Sequence, residues 1–424
     1  MFDPLFVPRG GSVAAQIHQM LHAIRVHLGM DIGFISEFRD GRRYFRHVDA
    51  SVPDLSLIVG GSDRLEDSYC QYIVDGSLPQ LMQDAAKVPA AAAMPVTNAL
   101  PVGAHLSVPI RFDDGEIYGT FCCFSHKSDE SLNERDLALL KVFADISGGL
   151  IQADAKAEKT RIEKISRIEQ TIEMRQLSIA YQPIYRLSDD SLAGFEALSR
   201  FSATPLRSPD QWFAEAAEVE LGCELEFLAA QEACLALLAL PPALTVAVNL
   251  SPQSILNPKF SWLFAELPVE RLVLEVTEHA IIENYEEMER VILPMRQRGL
   301  RLAVDDAGAG HSSFRHVLDL RPDLIKLDMS LTRDIHCDPA RRALAEALTQ
   351  FGRAMGSQIV AEGVETEPEL EALRKIGVTK VQGYLTGRPM SLKQAAALPA
   401  FPARDGAAPP RPQQGPALRA NKGG

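Results

Sequence analysis

The chain reads as two folded parts, an α+β domain over residues 12–152 and an α/β barrel over residues 178–399. Between Ser178 and Pro399, eight short apolar runs (IAYQPIY, SLAGFEAL, LTVAVNL, RLVLEV, RLAVDD, LIKLD, SQIVAEG and TKVQGYL) alternate mostly with amphipathic helical patterns. That alternation predicts a closed sheet with helices outside it. Most of these runs terminate in a carboxylate, an amide or a lysine, which a barrel gathers on one face. Upstream, the alternating runs IGFISEF and VPIRF and the turn Asp113-Asp114-Gly115 before YGTFCCF predict hairpins of an antiparallel sheet.

Taken in order, residues 1–11 (MFDPLFVPRGG) lack the basic n-region and apolar core of a signal peptide, so a cytoplasmic protein is expected. Ile17, Met20, Leu21, Ile24 and Leu28 recur at helical spacing. His18 and His22 on that helix lack the Glu of HExxH and a third ligand, so they read as a solvated face. Cys70 reads as a core residue, and the vicinal Cys122 and Cys123 as strand packing residues, one inward and one outward. A helix near Asn133 to Ile151 closes the domain. Residues 153–177 contain no Gly or Pro and carry the stripe Ile162, Ile165, Ile168 and Ile172 on a charged helix. This linker is either a spacer or a parallel coiled coil joining two protomers. The run Ala233–Leu250 is broken by Pro241-Pro242 and reads as buried helix, turn and strand rather than a membrane span. Residues 400–424, rich in Pro, Ala, Gly and Arg, read as a disordered tail.

Composition narrows the functional classes. Across 424 residues, 43 Lys+Arg stand against 56 Asp+Glu, a formal net charge of -13 with 46% hydrophobic residues. Such a chain is too apolar to be disordered and has no diffuse positive field for a nucleic-acid polymer or an anionic membrane. Its 6 Cys include no CxxC pair, which predicts reduced thiols rather than disulfides or a zinc site.

The chemistry lies in the strand ends: Glu196, Asn249, Glu275, Asp305-Asp306, Lys326 with Asp328, Glu362 and Gln382. One acid at the end of a buried strand usually marks only where the chain leaves the core. So many on one barrel mouth is different, because clustered carboxylates repel unless cations neutralise them. Carboxylates with an amide oxygen, and no clustered Cys or His, suit Mg²⁺ or Mn²⁺. Adjacent Asp305 and Asp306 would let one carboxylate bridge two ions while its neighbour holds the second. Bridged metal pairs serve in-line displacement at phosphorus, so phosphodiester hydrolysis is the expected reaction class. Arg200 could clamp a phosphate, and Lys326 could orient the attacking water or pair with Asp328.

Together these residues resemble the EAL family of cyclic-di-GMP phosphodiesterases over about Ser178 to Ala397. The name motif stands as Glu196-Ala197-Leu198, accompanied in the family's order by YQPIY, VNLSPQS, LEVTE, VDDAGAGHSSF, DLIKLD, VAEGVET and VQGYLTGRP. The resemblance implies a modified (β/α)8 barrel, TIM-like, that hydrolyses cyclic di-GMP to linear pGpG with two Mg²⁺ or Mn²⁺ ions. It implies Glu196, Asn249, Glu275 and Asp305 as ligands of one ion, and Asp305, Asp306 and Glu362 as ligands of the other. Lys326 would contact the catalytic water, with Asp328 a further active-site acid. Gln182, Arg200, Gln382 and Leu198 match substrate-binding positions, and Glu278 matches the residue that anchors the loop after Asp306. Ala307 departs from the family's usual DDFG-type loop, which places the loop's coupling to dimerisation in doubt. No GGDEF-type cyclase signature is present.

Residues 12–152 resemble a GAF sensory domain through HLGMDIGFISEF, DSYCQYIVDG and SVPIRFDDGEIYGTFCCF. This implies an unknown small ligand or a dimerisation role, regulation of the barrel through the linker, and a homodimer. The competing expectation is a catalytically weak or inactive cyclic-di-GMP receptor that signals through protein partners.

Overall fold

The computed structural model describes residues 11–51, 57–277, 282, 284–307 and 313–399, which fall into two compact units dividing between Ile162 and Glu163. Residues 1–10, the tail 400–424 and Glu278 lie outside the described residues.

In the first unit, strands β1 (Ile32–Arg39), β2 (Arg42–Ala50), β3 (Ser62–Arg64), β4 (Leu81–Met82), β5 (His105–Arg111) and β6 (Ile117–Phe124) form one sheet in the order β3-β2-β1-β6-β5-β4. Every pairing in it is antiparallel. The Asp-Asp-Gly turn joins β5 to β6, where Gly115 adopts φ 86 and Phe112 N donates to Glu116 O at 2.9 Å. Helix Val13–His27, begun by a Ser12 cap, and the start of helix Glu134–Glu173 cover one face through Leu21, Ile24 and Leu140 against Leu106, Phe121 and Cys123. Phe34, Tyr69, Cys70, Ile73, Cys122 and Phe124 form a second core on the other face.

Cys122 and Cys123 therefore point to opposite faces as strand geometry requires, yet both are fully buried, because a hydrophobic core covers β6 on each side. Cys70 is more than packing. Its Sγ lies 3.0 Å from Arg43 Nη1 and 3.6 Å from Cys122 Sγ. Burial pushes the Cys70 thiol up, but Cys122 and the Arg43 guanidinium bring it down to about 6.

The second unit is a closed barrel of β7 (Leu177–Arg186), β8 (Leu192–Phe201), β9 (Thr245–Asn249), β10 (Leu272–Thr277), β11 (Arg301–Ala307), β12 (Leu324–Leu327), β13 (Gln358–Ala361) and β14 (Lys380–Gln382). Seven of these strands run parallel in sequence around the wall, while β7 is antiparallel to both neighbours, β8 and β14. The hairpin β7–β8 explains why only nominal turn residues, not a helix, separate the first two runs. The run Ala233–Leu250 resolves into the end of helix Gly222–Cys234, a short helix Ala236–Ala239, a turn and β9. Among the described residues no helix is long and apolar enough to cross a membrane.

Residues 153–173 are not a separate linker element, since a single 40-residue helix, Glu134–Glu173, includes both them and the closing helix. Within the second unit, Ile168 is buried with Ile165 and Ile172 against Trp212, Ala216 and Leu225, and only Ile162 of the four stripe positions is exposed. The stripe is thus largely covered by the chain's own barrel unit, which neither the spacer nor the coiled-coil reading anticipated. Arg207 and Arg167 clasp Glu215 beside it at 2.7 and 3.2 Å.

Candidate metal centre at the barrel mouth

Strand alternation builds the site. Ile184, Ala247, Val273, Ala303, Leu324 and Val360 form one apolar layer inside the barrel. Two residues onward along each parallel strand, and two residues back along β7, the inward positions are Asn249, Glu275, Asp305, Lys326, Glu362 and Gln182. Glu196 on β8 and Gln382 on β14 complete the ring, with Glu196 in register with Gln182 across the hairpin.

Lys326 stands at the centre of this ring and is almost wholly buried. Its Nζ lies 2.6 Å from Glu362 Oε1, 2.9 Å from Glu275 Oε2, 3.1 Å from Asp305 Oδ1 and 3.4 Å from Glu196 Oε1. Asn249 Nδ2 donates to Glu196 Oε1 at 3.3 Å and Glu275 Oε2 at 3.4 Å. Gln382 Nε2 donates to Glu196 and to Gln182 Oε1, the latter at 3.1 Å, while Gln182 Nε2 donates to Gly387 O at 3.2 Å.

Four carboxylates and one ammonium leave an excess of negative charge in a dry setting. Burial, and the nearby charges of Glu196 and Asp305, push Glu275 well above the ordinary carboxylate range despite Lys326. Burial and Asp305 likewise raise Glu362 to about 8. Glu196, equally buried, is held below its ordinary value because Lys326 and the amides of Gln382 and Asn249 outweigh desolvation. Burial disfavours the charge on Lys326, but the surrounding carboxylates overcome it and raise its pKa well above normal.

The donor set fits a hard divalent cation. Oxygen atoms of Glu196, Glu275 and Asp305 can all lie within 4.8 Å of one another. A half-turn of the Asn249 amide would present its oxygen to the same point. Gln382 Oε1 is buried without a hydrogen-bond partner, on the amide whose Nε2 donates to Glu196.

Other expected residues lie around this centre. Pairing of β11 with β12 shifts register between Val304 and Ala307, so Asp305-Asp306 occupies an irregular step of the pairing. The side chain of Asp306 lies outside the described part, as do Gly308 to His311. A cleft of about 530 Å³ is lined by Leu198, Arg200, Phe213, Asn249 and Asp305 among others. Arg200 is exposed there and donates to Ser199 O at 2.7 Å. Asp328 is not in the ring: its Oδ1 accepts from Ser330 N at 2.9 Å and caps the short helix Met329–Thr332.

Residues 165–389 match the family described as EAL domain, a stretch that includes every described member of the ring. The chain belongs to the EAL-domain family. Residues 12–152 match the family described as GAF domain. Relatives of this EAL protein include the cyclic di-GMP phosphodiesterase PdeF of Escherichia coli (strain K12), 28% identical over 249 residues that cover 55% of this chain and 32% of PdeF. An uncharacterized protein y4lL of Sinorhizobium fredii (strain NBRC 101917 / NGR234) is 31% identical over 288 residues, covering 64% of this chain and 35% of y4lL. The chain spans about a third of the length of the curated relatives it matches. Among solved structures, the PaMucR phosphodiesterase in complex with c-di-GMP matches with a TM-score of 0.50 and 29% identity, covering 55% of this chain and 99% of that one.

One residue that supports the ring from outside escaped the sequence reading. Glu369, buried, accepts backbone N–H bonds from Asp334, Glu365 and Thr366, each at 3.0 Å, and so fixes the turn that follows Glu362. Its signal was the capping box Thr366-x-x-Glu369 at the start of helix Glu367–Ile376. The same turn requires Gly363, whose φ is +65 and whose absent Cβ would sit 2.5 Å from Met329 Cβ.

Proposed function

We propose that this chain hydrolyses cyclic di-GMP to linear pGpG at the Lys326-centred ring, with two Mg²⁺ or Mn²⁺ ions. The observation that carries this reading is the convergence of Glu196, Glu275, Asp305 and Glu362 on one buried ammonium group, with the Asn249 amide beside them. Glu196, Asn249, Glu275 and Asp305 would hold one ion, and Asp305, Asp306 and Glu362 the second. Such ions supply a water activated at neutral pH and charge stabilisation at the phosphoryl oxygens. The names of PdeF and PaMucR as cyclic di-GMP phosphodiesterase and c-di-GMP complex support the choice of substrate.

The chain's own residues then take distinct parts. Lys326 holds the attacking water against the phosphoryl group and neutralises charge that develops there. Gln182 and Gln382 orient Glu196, and Arg200 with Leu198 receives the substrate in the cleft beside Asn249. Asp328 shapes the wall after β12 by capping the next helix. Glu278 would anchor the loop after Asp306.

The N-terminal GAF domain tunes this activity in our reading, and the continuous helix Glu134–Glu173 supports it as the physical connection. Its ligand would be a small molecule. Exposed Val142 and Ile146, one turn apart on that helix, support a homodimer, which sedimentation at micromolar concentration would detect.

Incubation of purified protein with cyclic di-GMP and Mg²⁺ or Mn²⁺, with products resolved by chromatography, tests the reading. Linear pGpG that fails to form after chelation supports it. Tight binding without turnover would make the chain a receptor instead.

A further inference from the structure

The alternation that builds the acidic ring also builds the opposite end of the barrel. Two residues from the apolar layer in the other direction, the positions are Arg186, Thr245, Arg271, Arg301, Pro322 and Gln358, of which Arg271 is taken up by the carbonyls of Leu237, Leu240, Pro241 and Leu244, and Lys380 lies two residues before Gln382. Lys380 and Arg186 are register partners across β14 and β7. This end is basic where the mouth is acidic.

A cleft of about 380 Å³ opens here, lined by Arg186, Ser188, Gln358, Arg374, Thr379 and Lys380 among others. Two of its cations already have partners. Arg186 Nη1 lies 3.2 Å from Asp189 and 3.0 Å from Ser191 Oγ, while Arg374 pairs with Asp190 and donates to Leu187 O at 3.0 Å. The neighbouring Asp323 is 3.3 Å from Arg296 and accepts from Leu302 N at 2.8 Å.

Lys380 differs from all of them. It is only 6% exposed and lines the cleft, yet among the described residues no side-chain or backbone acceptor hydrogen-bonds its ammonium group and no carboxylate pairs with it. A cation largely withdrawn from water without a partner is destabilising unless it loses its proton or gains an anion. Burial, with the charges of Arg301 and Arg186 adding, brings Lys380 down to about 8, so it remains largely protonated at neutral pH. The remaining N–H donors of Arg186 and Arg374, with the hydroxyl of Ser188, surround the space before it. Guanidinium forks and an ammonium group around a small polar cleft are chemistry for a tetrahedral oxyanion.

We propose that the cleft at the barrel base binds a small phosphate-bearing anion on Lys380, Arg186 and Arg374. It is a second anion site, at the end of the barrel remote from the carboxylate ring, and does not depend on the ring's proposed chemistry. Bound anion would stabilise the barrel by neutralising Lys380.

The test is thermal unfolding of the full chain in chelator, which disables anion capture through divalent ions, with inorganic phosphate titrated against chloride at matched ionic strength. Methyl phosphate in a parallel titration separates free phosphate from a phosphate ester. The expected result is a saturable rise in midpoint for the wild type and at least a tenfold weaker response in Lys380→Met. Without phosphate, Lys380→Met should unfold no earlier than the wild type, because it removes an uncompensated buried charge. Should that variant fail to fold, Arg186→Gln, whose side chain is about half exposed, must weaken the phosphate response instead. A wild type that does not respond, or variants that respond as the wild type does, would overturn the proposal.

Discussion

Lys326 on β12 and Glu362, the residue that follows β13, stand with Nζ 2.6 Å from Oε1, and three further carboxylates reach the same nitrogen. The ammonium group is therefore the cation around which the mouth of the barrel is organised. Lys326→Met should destabilise the metal-free protein by about 3–5 kcal/mol, since it leaves buried carboxylates uncompensated. Mn²⁺ should recover much of that loss. Denaturant unfolding with and without the ion measures both effects.

Glu196 touches Lys326, Asn249 and Gln382 at once. Glu196→Gln keeps the shape and removes the charge. Turnover of cyclic di-GMP should fall by more than the 10–100-fold typical of residues that merely support a ligand. Unchanged turnover at equal metal occupancy would remove Glu196 from the ligand set.

Glu369 holds two backbone N–H groups in the turn after Glu362, those of Glu365 and Thr366, and a third at Asp334 beyond the helix Met329–Thr332, without entering the ring. Glu369→Ala should cost about 1–3 kcal/mol in stability by leaving those donors unsatisfied. It should also slow hydrolysis by displacing Glu362, while Glu369→Gln, which keeps an acceptor oxygen, should recover part of both. Unfolding and steady-state kinetics together distinguish this positioning role from a general loss of stability.

The GAF domain carries its own pH dependence. Burial, aided by the Arg43 charge, lowers His105 to about 3 from an ordinary value of 6.5. The folded ring is thus neutral while the unfolded ring gains a proton below about pH 6.5, so acidification favours unfolding. Stability from this residue is complete above about pH 6.5 and falls on acidification towards pH 3, by up to about 1.4 kcal/mol per pH unit. Calorimetry of wild type and His105→Gln between pH 4 and 7 should show the steeper dependence only in the wild type.

Ile168 packs on Trp212 within the barrel unit. Ile168→Asp should release residues 163–173 from that surface, with a loss of about 2–3 kcal/mol from apolar burial alone. Hydrogen exchange across this stretch would rise, and unchanged protection would contradict the packing.

Much of the barrel was legible because its strands are short apolar runs buried on both faces, and because the functional side chains recur at the period of two. Glu275, Asp305, Lys326 and Glu362 all follow that rule, so linear sequence placed them on one mouth. The reversed direction of β7 was not legible, since a hairpin and a crossover differ in the intervening chain rather than in the strand itself. Cys122 and Cys123 misled for a related reason. Alternation tells which face a side chain takes, but only the cores on both sides tell whether that face meets water. The isoleucine stripe on Glu134–Glu173 was visible, whereas its partner Trp212 lies about 40 residues downstream and could be matched to it only in three dimensions. Glu369 was hidden behind its ordinary role as a helix cap.

The most direct measurement is the rate of cyclic di-GMP hydrolysis by chelator-treated full chain as Mn²⁺ is restored, beside Glu275→Gln under the same titration. A metal-dependent centre at the Lys326 ring predicts no pGpG before restoration, a saturable rise in the wild type, and little or none in the variant. Hydrolysis that proceeds equally without metal, or equally in Glu275→Gln, would contradict the assignment.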